Sequence, residues 1–318
     1  RTPGGISGLS ASLDSLSGKA HALATQATFD SVDMSRRAVA ARFGEVQARP
    51  ALRGAWQHAL GEAGQGNFAG NGAQTRGWMV GHESALGGNG VLGVAFGEVR
   101  SNASGNDNGG LGRDRQAQAQ LYAGWSEGRG YLLAQLGAGQ FQRQVDRQLL
   151  LGAQAVGAGA RYGGRFASVS VESGLRFGGP RMALTPYVAA SQVQVRSDGF
   201  TEQGGLGFGL RMQDNLARRS LAMAGLRAER QWRRWTLRGY SEWQQELSSE
   251  GFDAQAGFTG VEAWAPLVSG ALPRASGLLG VALEAGVGRS GRVSFGYDQR
   301  FGGGLDVSQA ALNYSTGF

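Results

Sequence analysis

The segment GWSEG at residues 124–128 matches G-x-S-x-G, the pattern in which hydrolases expose a nucleophilic serine. That serine requires a sharp turn from a strand into a helix. Here the residues on both sides alternate with the period of a strand, so the segment joins two strands. We therefore interpret Ser126 as a turn residue rather than as a nucleophile.

Two further segments match ligand-binding patterns only in part. GVGRSG at 286–291 has the G-x-G-x-x-G spacing of a dinucleotide-binding loop, but such a loop must open a helix, and no helix pattern follows. NDNGG at 106–110 offers oxygen ligands, yet its spacing fits neither an EF-hand nor a calcium-binding repeat. We interpret both segments as turns and expect no metal site and no cofactor.

The chain has three histidines, His21, His58 and His82, and no cysteine. His82 and Ser84 are two residues apart and would share one face of a strand, where such a pair could act on lipid. No acid or amide partner for the pair is evident. We therefore predict no catalytic residues in this chain, and the absence of cysteine excludes disulfides and thiolate sites.

The composition excludes a helical membrane protein. The 318 residues are 41% hydrophobic, and no stretch reaches the roughly 18 apolar residues of a transmembrane helix. A transmembrane β-barrel is compatible with the composition, because only alternate residues of its strands need be apolar. The 56 glycines suit strands that approach one another closely better than they suit helices.

The net charge of +7 comes almost entirely from arginine, since Lys19 is the only lysine. Strong basicity often indicates nucleic-acid binding. Here the arginines are spread along the chain rather than clustered, which favours arginines in the lumen and at the interfaces of a barrel. We expect no nucleic-acid partner.

Residues 1–48 have the pattern of helices. Apolar residues three and four apart form one stripe, namely Ile6, Leu9, Leu13, Leu16, Ala20, Leu23 and Ala27. Ser17 and Gly18 could break or bend this helix, and a second piece can begin near Asp33 and must end before Pro50. Twenty residues of it would reach about 30 Å, the thickness of a hydrocarbon layer.

From Ala51 onward the apolar residues recur at every second position, which is the period of β-strands. Twelve segments show this pattern: 51–61, 76–86, 90–102, 114–127, 129–146, 161–178, 182–197, 219–231, 234–248, 277–288, 291–302 and 309–318. One apolar set, largely on one face, is Phe166, Val169, Val171, Leu175 and Phe177, against Ser168, Ser170, Glu172, Gly174 and Arg176. Another is Val293, Phe295, Tyr297 and Phe301, opposite Arg292, Ser294, Gly296, Asp298 and Arg300.

The connections between these segments alternate between short and long along the chain. The short ones are 87–90, 126–130, 178–181, 230–233 and 288–291, and the long ones are 62–75, 103–113, 147–160, 198–218, 249–276 and 303–308. A transmembrane barrel has this arrangement, with tight periplasmic turns and larger outside loops. A soluble sandwich follows no such rule.

The two faces of the strands predict which side meets water. Charged residues lie on the polar face and are expected to line the lumen: Glu172, Arg176, Arg238, Glu242, Glu284, Arg292, Asp298 and Arg300. Aromatic residues near strand ends suit the interfacial girdles of a barrel: Trp125, Trp235, Trp243, Tyr297, Tyr314 and Phe318. The alternation leaves open which face of the first, seventh and eighth strands points inward.

Five motifs in order give the chain a family likeness. They are LDSLSGKAHA (13–22), RGAWQHALG (53–61), DGFTEQGG (198–205), SGLLGVALEAGVGRSGRVSFGYDQRFGG (276–303) and the last strand with its final aromatic. With them, residues 9–318 resemble the C-terminal translocator of bacterial autotransporters (type V secretion), nearest to the subtilisin-like protease autotransporters. Three positions depart from the family pattern, namely Lys19, Gln299 and Thr316.

The resemblance implies an all-β transmembrane barrel of 12 antiparallel strands in the bacterial outer membrane. The helical segment 1–48 would plug the pore of the barrel at 49–318, with its N-terminus outside and Phe318 on the periplasmic side. The barrel would be a monomer in outer-membrane lipid, inserted by the barrel assembly machinery, with Leu312, Tyr314 and Phe318 as assembly signal. It would let its own N-terminal passenger reach the cell surface, and any enzyme, such as a serine protease, would lie in that passenger.

The helix carries three arginines that could hold it in such a pore. We expect Arg36, Arg37 and Arg42 to meet lumenal acids, which would be Glu172, Glu242, Glu284 and Asp298. Partly desolvated pairs of this kind would contribute ~1 kcal/mol each and would fix the register of the helix.

Two other interpretations stay open at this point. One is a stand-alone outer-membrane pore or a barrel lipid hydrolase, in which the His82 and Ser84 pair would matter. The other is a soluble all-β module that binds a surface, which would need no detergent to stay in solution. The three interpretations differ in what the apolar face of each strand contacts.

Overall fold

The computed structural model describes residues 11–13, 15–61, 74–104, 110–151, 154–179, 181–266, 273–287, 291–302 and 306–316. Within these ranges, no helix combines the length and the apolar character needed to cross a bilayer.

Twelve long strands form one antiparallel sheet in which each strand pairs with the next along the chain. They are β1 (Ala55–Leu60), β2 (Gln74–Leu86), β3 (Gly90–Ser104), β4 (Leu111–Glu127), β5 (Gly130–Leu151), β6 (Gln154–Leu175), β7 (Met182–Ser197), β8 (Asn215–Gln231), β9 (Trp235–Glu250), β10 (Ala275–Val287), β11 (Gly291–Phe301) and β12 (Val307–Thr316). The twelve strands predicted from the alternation are confirmed. The predicted and observed strand ends differ most at the connection between β5 and β6.

The hairpin of β5 and β6 is longer than the sequence predicts. We expected a connection at 147–160, but strand pairing continues to Leu151 opposite Gln154. That prediction is wrong because the small residues of 155–160 carry no alternation that would mark a strand. The neighbouring strand β4 begins opposite Asp146, so the end of the hairpin projects beyond it.

The sheet curls into a barrel around the N-terminal helix. Along β4, for example, buried positions that face the helix alternate with exposed positions on the outside. The exposed positions of the sheet carry large apolar side chains, including Trp78, Phe96, Leu121, Trp125, Leu132, Val171, Trp235, Trp243, Leu279 and Phe295. Where the last strand approaches the first, the Gln309 side chain donates a hydrogen bond of 2.9 Å to the Gly61 carbonyl.

The strands whose inward face the alternation left open are resolved by burial. β1 turns Trp56 and Leu60 toward the lumen, β7 turns Tyr187 and Val193 the same way, and β8 does so with Leu221 and Met223. For Phe166 the predicted face is wrong, because this residue lies inward in β6, where it belongs to a buried cluster that includes Phe29 of the helix.

Glycines inside the barrel make room for tyrosines on neighbouring strands. A Cβ atom at Gly93 would overlap the ring of Tyr122, and one at Gly225 would overlap the ring of Tyr187. Each ring therefore lies flat across the backbone of the next strand, where only glycine fits. This contact accounts for part of the high glycine content.

The helix α1 (Lys19–Ala48) runs inside the barrel and is followed by a 3₁₀ turn at Pro50–Leu52. The bend predicted at Ser17 lies just before it, and the helix ends before Pro50 as expected. The second helical piece predicted near Asp33 is wrong, because α1 is continuous. Ala38, Val39 and Ala40 are consecutive and so point to different sides of the helix, and all three are buried, since the barrel surrounds it.

Two of the long connections fold into a second, four-stranded sheet. Its strands are Phe200–Thr201, Leu210–Met212, Gln255–Phe258 and Ala265–Pro266. A further short strand, Gln203–Gly204, pairs with β6 at Gly159 and Ala158, in the extended part of the hairpin. The first of these connections also packs on the start of α1, since Phe200 stacks on His21 with ring centroids 4.3 Å apart.

Candidate functional site

The middle of α1 is held by an ion-pair network inside the barrel. Arg36 donates two hydrogen bonds to Glu242 of β9, at 3.0 and 3.2 Å, and lies 2.8 Å from Asp33 one turn earlier. Tyr187 of β7 also donates to Glu242, at 2.7 Å. Arg36, Glu242 and Tyr187 are buried and the Asp33 side chain is only 14% exposed, so each ionic group depends on its partners rather than on water.

Arg37 and Glu172 extend the same network. Arg37 pairs with Asp33 and approaches Glu242 at 3.7 Å. Glu172 of β6 lies 3.7 Å from Arg36 and accepts two hydrogen bonds from Arg227 of β8, at 2.7 and 2.8 Å. Three arginines thus face three carboxylates, and the charges of the network balance.

Toward the C-terminal end of α1, Arg42 contacts an acid that the sequence analysis did not single out. Its guanidinium lies 2.9 Å from Glu83 of β2 and donates to the Leu52 carbonyl at 2.6 Å. Tyr122 donates to the same carboxylate at 2.9 Å, and Trp56 donates to the Tyr122 hydroxyl at 2.9 Å. This chain of contacts joins the helix to β1, β2 and β4.

Closer to the start of α1, the polarity of the ion pairs is reversed. Asp30 of the helix accepts a hydrogen bond from Arg300 of β11 at 3.0 Å. Arg143 of β5 donates to the Ala24 carbonyl at 2.6 Å and to Thr28 at 2.8 Å. Here the wall supplies the arginines and the helix supplies acceptors.

The first turn of α1 contacts the connection between β7 and β8 through Glu202. This carboxylate accepts hydrogen bonds from Arg147 of β5, at 2.6 and 2.8 Å, lies 2.9 Å from the Nε2 atom of His21, and accepts one from the Leu210 amide at 2.7 Å. Burial acts to raise the pKa of Glu202, but the hydrogen bonds from His21 and Arg147 outweigh it and lower the pKa to about 2. The carboxylate is therefore ionised at neutral pH.

Glutamines of β4 and serines of α1 add neutral contacts at matching heights. Gln118 donates to Ser35 at 2.6 Å, and Gln116 donates to Ser31 at 3.4 Å. The alternate glutamines of β4 all point inward because the strand period is two. These polar residues of β4 therefore form a surface on which the helix packs.

The helix does not fill the lumen evenly. A cavity of about 140 Å³ lies beside its C-terminal half, and its lining includes Phe43, Tyr131, Arg176, Arg227 and Arg238. Contacts to the other wall are close, since a Cβ atom at Gly124 of β4 would overlap the Phe43 ring. The helix therefore packs against one side of the barrel and leaves space at the other.

The structure brings only some of the predicted charged residues to the helix. Glu172, Glu242 and Arg300 contact α1 as described above. Asp298 accepts a hydrogen bond of 2.7 Å from Tyr240 of the wall. Arg176 is half-buried and lines the cavity.

Near the C-terminal end of α1, the predicted residues form a looser group. Arg238 lies 3.6 Å from Glu284 and 3.9 Å from Glu45 of the helix, and all three are only partly buried. Glu284, which we expected to pair with a helix arginine, instead meets an arginine of the wall.

Part of the predicted assembly signal lies outside the described residues. Leu312 is 73% exposed on β12. Tyr314 also lies in β12, but its side chain and that of Arg292 in β11 are outside the described part, as is the whole of Phe318.

The residues weighed for catalysis have other surroundings. Ser126 accepts a hydrogen bond from Gln47 of α1 at 2.7 Å, so the GWSEG segment contacts the helix. His82 and Ser84 are both exposed on the outer face of β2. Among the described residues, no three His, Cys, Asp or Glu side chains are grouped so that they could hold a metal ion.

Comparison with known proteins places this architecture in a family. The family model described as "Autotransporter beta-domain" matches residues 53–298, which is more than half of the chain. Among solved structures, the translocator domain of the autotransporter NalP from Neisseria meningitidis aligns with a TM-score of 0.59 at 16% identity, over 77% of this chain and 81% of that one. The beta domain of the Bordetella autotransporter BrkA aligns with a TM-score of 0.51 at 19% identity, over 77% and 91%.

A curated relative is much longer than this chain. An extracellular serine protease of Serratia marcescens is 26% identical over 253 residues, which are 77% of this chain and 23% of the relative. The chain thus spans about a quarter of that protein's length. From the family match and the shared barrel fold, the chain belongs to the autotransporter beta-domain family.

Proposed function

We propose that the chain is the translocator through which an upstream passenger is secreted and by which it is anchored to the cell surface. As a family member the barrel is an outer-membrane protein, and α1 would be the last part of the passenger side of the chain. The observation that carries the proposal is a 30-residue helix that lies inside the barrel and is bound to it by mostly buried hydrogen bonds and ion pairs from His21 in its first turn to Arg42.

In this proposal the helix serves as both anchor and plug. An empty barrel of this size would let small solutes cross the outer membrane. The network of Arg36, Arg37 and Glu242 would fix the position of the helix along the barrel axis after transport. Arg42 with Glu83 would hold the C-terminal part of the helix. The helix N-terminus would face the outside and Phe318 the periplasm, because the short turns of the barrel would lie on the periplasmic side.

The partners in this proposal follow from the same arrangement. The exposed apolar half of the strands would contact outer-membrane lipid, and Leu312, Tyr314 and Phe318 would be read by the barrel assembly machinery. The passenger would carry any enzymatic activity, for which the serine protease relative is a precedent. The barrel itself would need no cofactor, and it would act as a monomer.

Display of a reporter on intact cells tests the proposal. A short epitope-tagged reporter placed before residue 1, with a secretion signal, should become accessible to external protease in a Gram-negative host. A matched chain that lacks β12 should leave the reporter protected, because the barrel cannot close. Protection of the reporter by the complete chain, with the barrel folded in the outer membrane, would contradict the proposal.

A further inference from the structure

The outer surface of the barrel has a groove near its short turns. The groove lies where the short strand Phe177–Gly179 pairs with the beginning of β7. Its lining consists of Phe177, Gly178, Gly179, Arg181, Met182 and Leu184. Phe177, Met182 and Leu184 are exposed, so apart from Arg181 the groove offers an apolar surface to the outside.

Three arginines surround this groove. Arg181 is part of its lining. Arg129, in the turn between β4 and β5, holds its guanidinium 5.5 Å from the centroid of the Phe177 ring. Arg230 of β8 lies 4.7 Å from the ring of Trp232. Exposed aromatic rings mark the interface of a barrel, and a cation stacked on one lies at the level of lipid headgroups.

The position of Arg230 beside the groove follows from strand register. Arg230 is directly opposite Met182 in the ladder between β7 and β8.

The exposed acid Glu127 lies two residues before Arg129, at the end of β4. The three arginines outnumber this acid, so the surface around the groove is positive.

These three arginines have no carboxylate partner within the described residues. At the opposite end of the sheet, several exposed arginines are paired: Arg100 and Arg115 lie 2.7 and 2.8 Å from Glu98, and Arg196 lies 3.5 Å from Asp214. The guanidinium groups around the groove are therefore available to an anion from outside the protein, and a guanidinium binds phosphate oxygens in a fork.

We propose that this groove is a binding site for an anionic phospholipid. One acyl chain would lie on Phe177, Met182 and Leu184, and the phosphate would be bound by Arg129, Arg181 and Arg230. The inference rests on the proposed function in one respect, which is that the apolar outer face contacts the bilayer. Through this site the short-turn end of the barrel selects lipids by charge.

Native mass spectrometry of the complete chain, folded in detergent with equal amounts of phosphatidylglycerol and phosphatidylcholine, tests the site. In the groove variant, Arg129, Arg181 and Arg230 are replaced by glutamine. Since each basic residue near an anionic headgroup contributes to binding, retained phosphatidylglycerol should fall at least about tenfold. Retained phosphatidylcholine should fall much less, because its choline cation offsets the charge of its phosphate. Arg181→Gln alone should give a smaller loss, and it serves if the triple variant does not fold.

The control variant removes the same charge from the other end of the barrel. It replaces the exposed arginines Arg76, Arg113 and Arg165 by glutamine, and it should retain phosphatidylglycerol like the unchanged chain. Equal losses in both variants, or no loss in the groove variant, would overturn the site. Soluble glycerol phosphate or an acidic peptide that displaces the lipid at equal concentration would overturn it as well.

Failure of this proposal is distinguishable from failure of the proposed function. A folded barrel that displays its reporter but does not prefer phosphatidylglycerol would overturn the lipid site alone. A barrel that prefers phosphatidylglycerol but leaves the reporter inside the cell would contradict only the role in secretion.

Discussion

Glu242 contacts two arginines of α1, whereas Glu172 contacts one. Arg36, Arg37 and Tyr187 all contact the Glu242 carboxylate, and Gln244 donates to it at 2.7 Å. Because these groups are buried, the network must be complete to be stable. Removal of one partner leaves charge without compensation in a site that water does not reach.

Replacement of Glu242 by glutamine should destabilise the folded chain by about 3 kcal/mol, because Arg36 and Arg37 lose one of the two carboxylates that they share. The free energy of unfolding in detergent, followed by circular dichroism, measures this. Glu284→Gln is the control and should cost less than ~1 kcal/mol, since Glu284 is partly exposed. Equal losses in the two variants would refute the central role of Glu242.

The lowered pKa of Glu202 predicts how the contact between this carboxylate and the first turn of α1 depends on pH. Its pKa in the folded chain is about 2, below the ordinary value of 4.5. The carboxylate therefore contributes stability above pH 4.5, and this contribution is lost as the pH falls toward 2. The difference in unfolding free energy between the unchanged chain and Glu202→Gln should be largest at neutral pH and shrink on acidification below 4.5. A difference that grows on acidification would contradict the assignment.

At the scale of elements, α1 is defined by the wall that surrounds it. Its small and polar residues face glutamines of β4, and its arginines face carboxylates of β2, β6 and β9. A helix with this composition would gain little by packing against an apolar surface. The barrel stabilises it by offering a polar partner at almost every turn.

Removal of residues 1–48 should raise the single-channel conductance of the barrel in planar bilayers several-fold, because the helix occupies the lumen. In the complete chain the helix leaves only a cavity of about 140 Å³ beside its C-terminal half, so the complete chain is expected to conduct less than the shortened one. Equal conductances of the complete and shortened proteins would mean that the helix does not block the pore.

The contact of Gly124 with Phe43 gives a more local test of the plug. Gly124→Val should push the C-terminal part of α1 away from β4 and raise the conductance, because the valine side chain would overlap the Phe43 ring. The double variant with Phe43→Ala should restore the low conductance, since it removes the overlap. A double variant that conducts as much as Gly124→Val would show that the steric contact is not the cause.

For the whole molecule, the position of the bilayer follows from the two faces of the strands. The outward residue Phe295 is 50% exposed, whereas Asp298 and Arg300 of the same strand are buried inside. In lipid, the exposed apolar side chains would be buried against acyl chains. The molecule is therefore expected to require detergent or lipid to stay in solution.

Single cysteines in this cysteine-free chain can test the two faces. Phe295→Cys should be labelled in vesicles by a lipid-soluble photoprobe that generates a carbene, which inserts without needing an ionised thiol, and Ser294→Cys should not, because neighbouring residues of a strand point to opposite faces. The two positions lie at the same depth, so accessibility along the membrane normal is matched. Preferential labelling at 294 would invert the predicted sidedness.

Much of the architecture could be predicted from the sequence because its signals are local. The period of two marked the strands, and the alternation of short and long connections indicated a barrel. Pro50 was also a local signal, because it predicted that the helix ends before it. The arginines of α1 and the acids Glu172 and Glu242 were found because each lies on a face that the period defines.

The pairing of side chains, in contrast, was decided only by the tertiary structure. Glu202 and His21 are far apart in the sequence, and no local pattern predicts that the connection between β7 and β8 folds back onto the helix. Arg42 meets Glu83 rather than an expected acid because the height of the helix in the barrel selects its partner. Periodicity assigns a residue to a face, but contacts across a lumen depend on how strands and helix are placed in space, which is a property of the closed barrel.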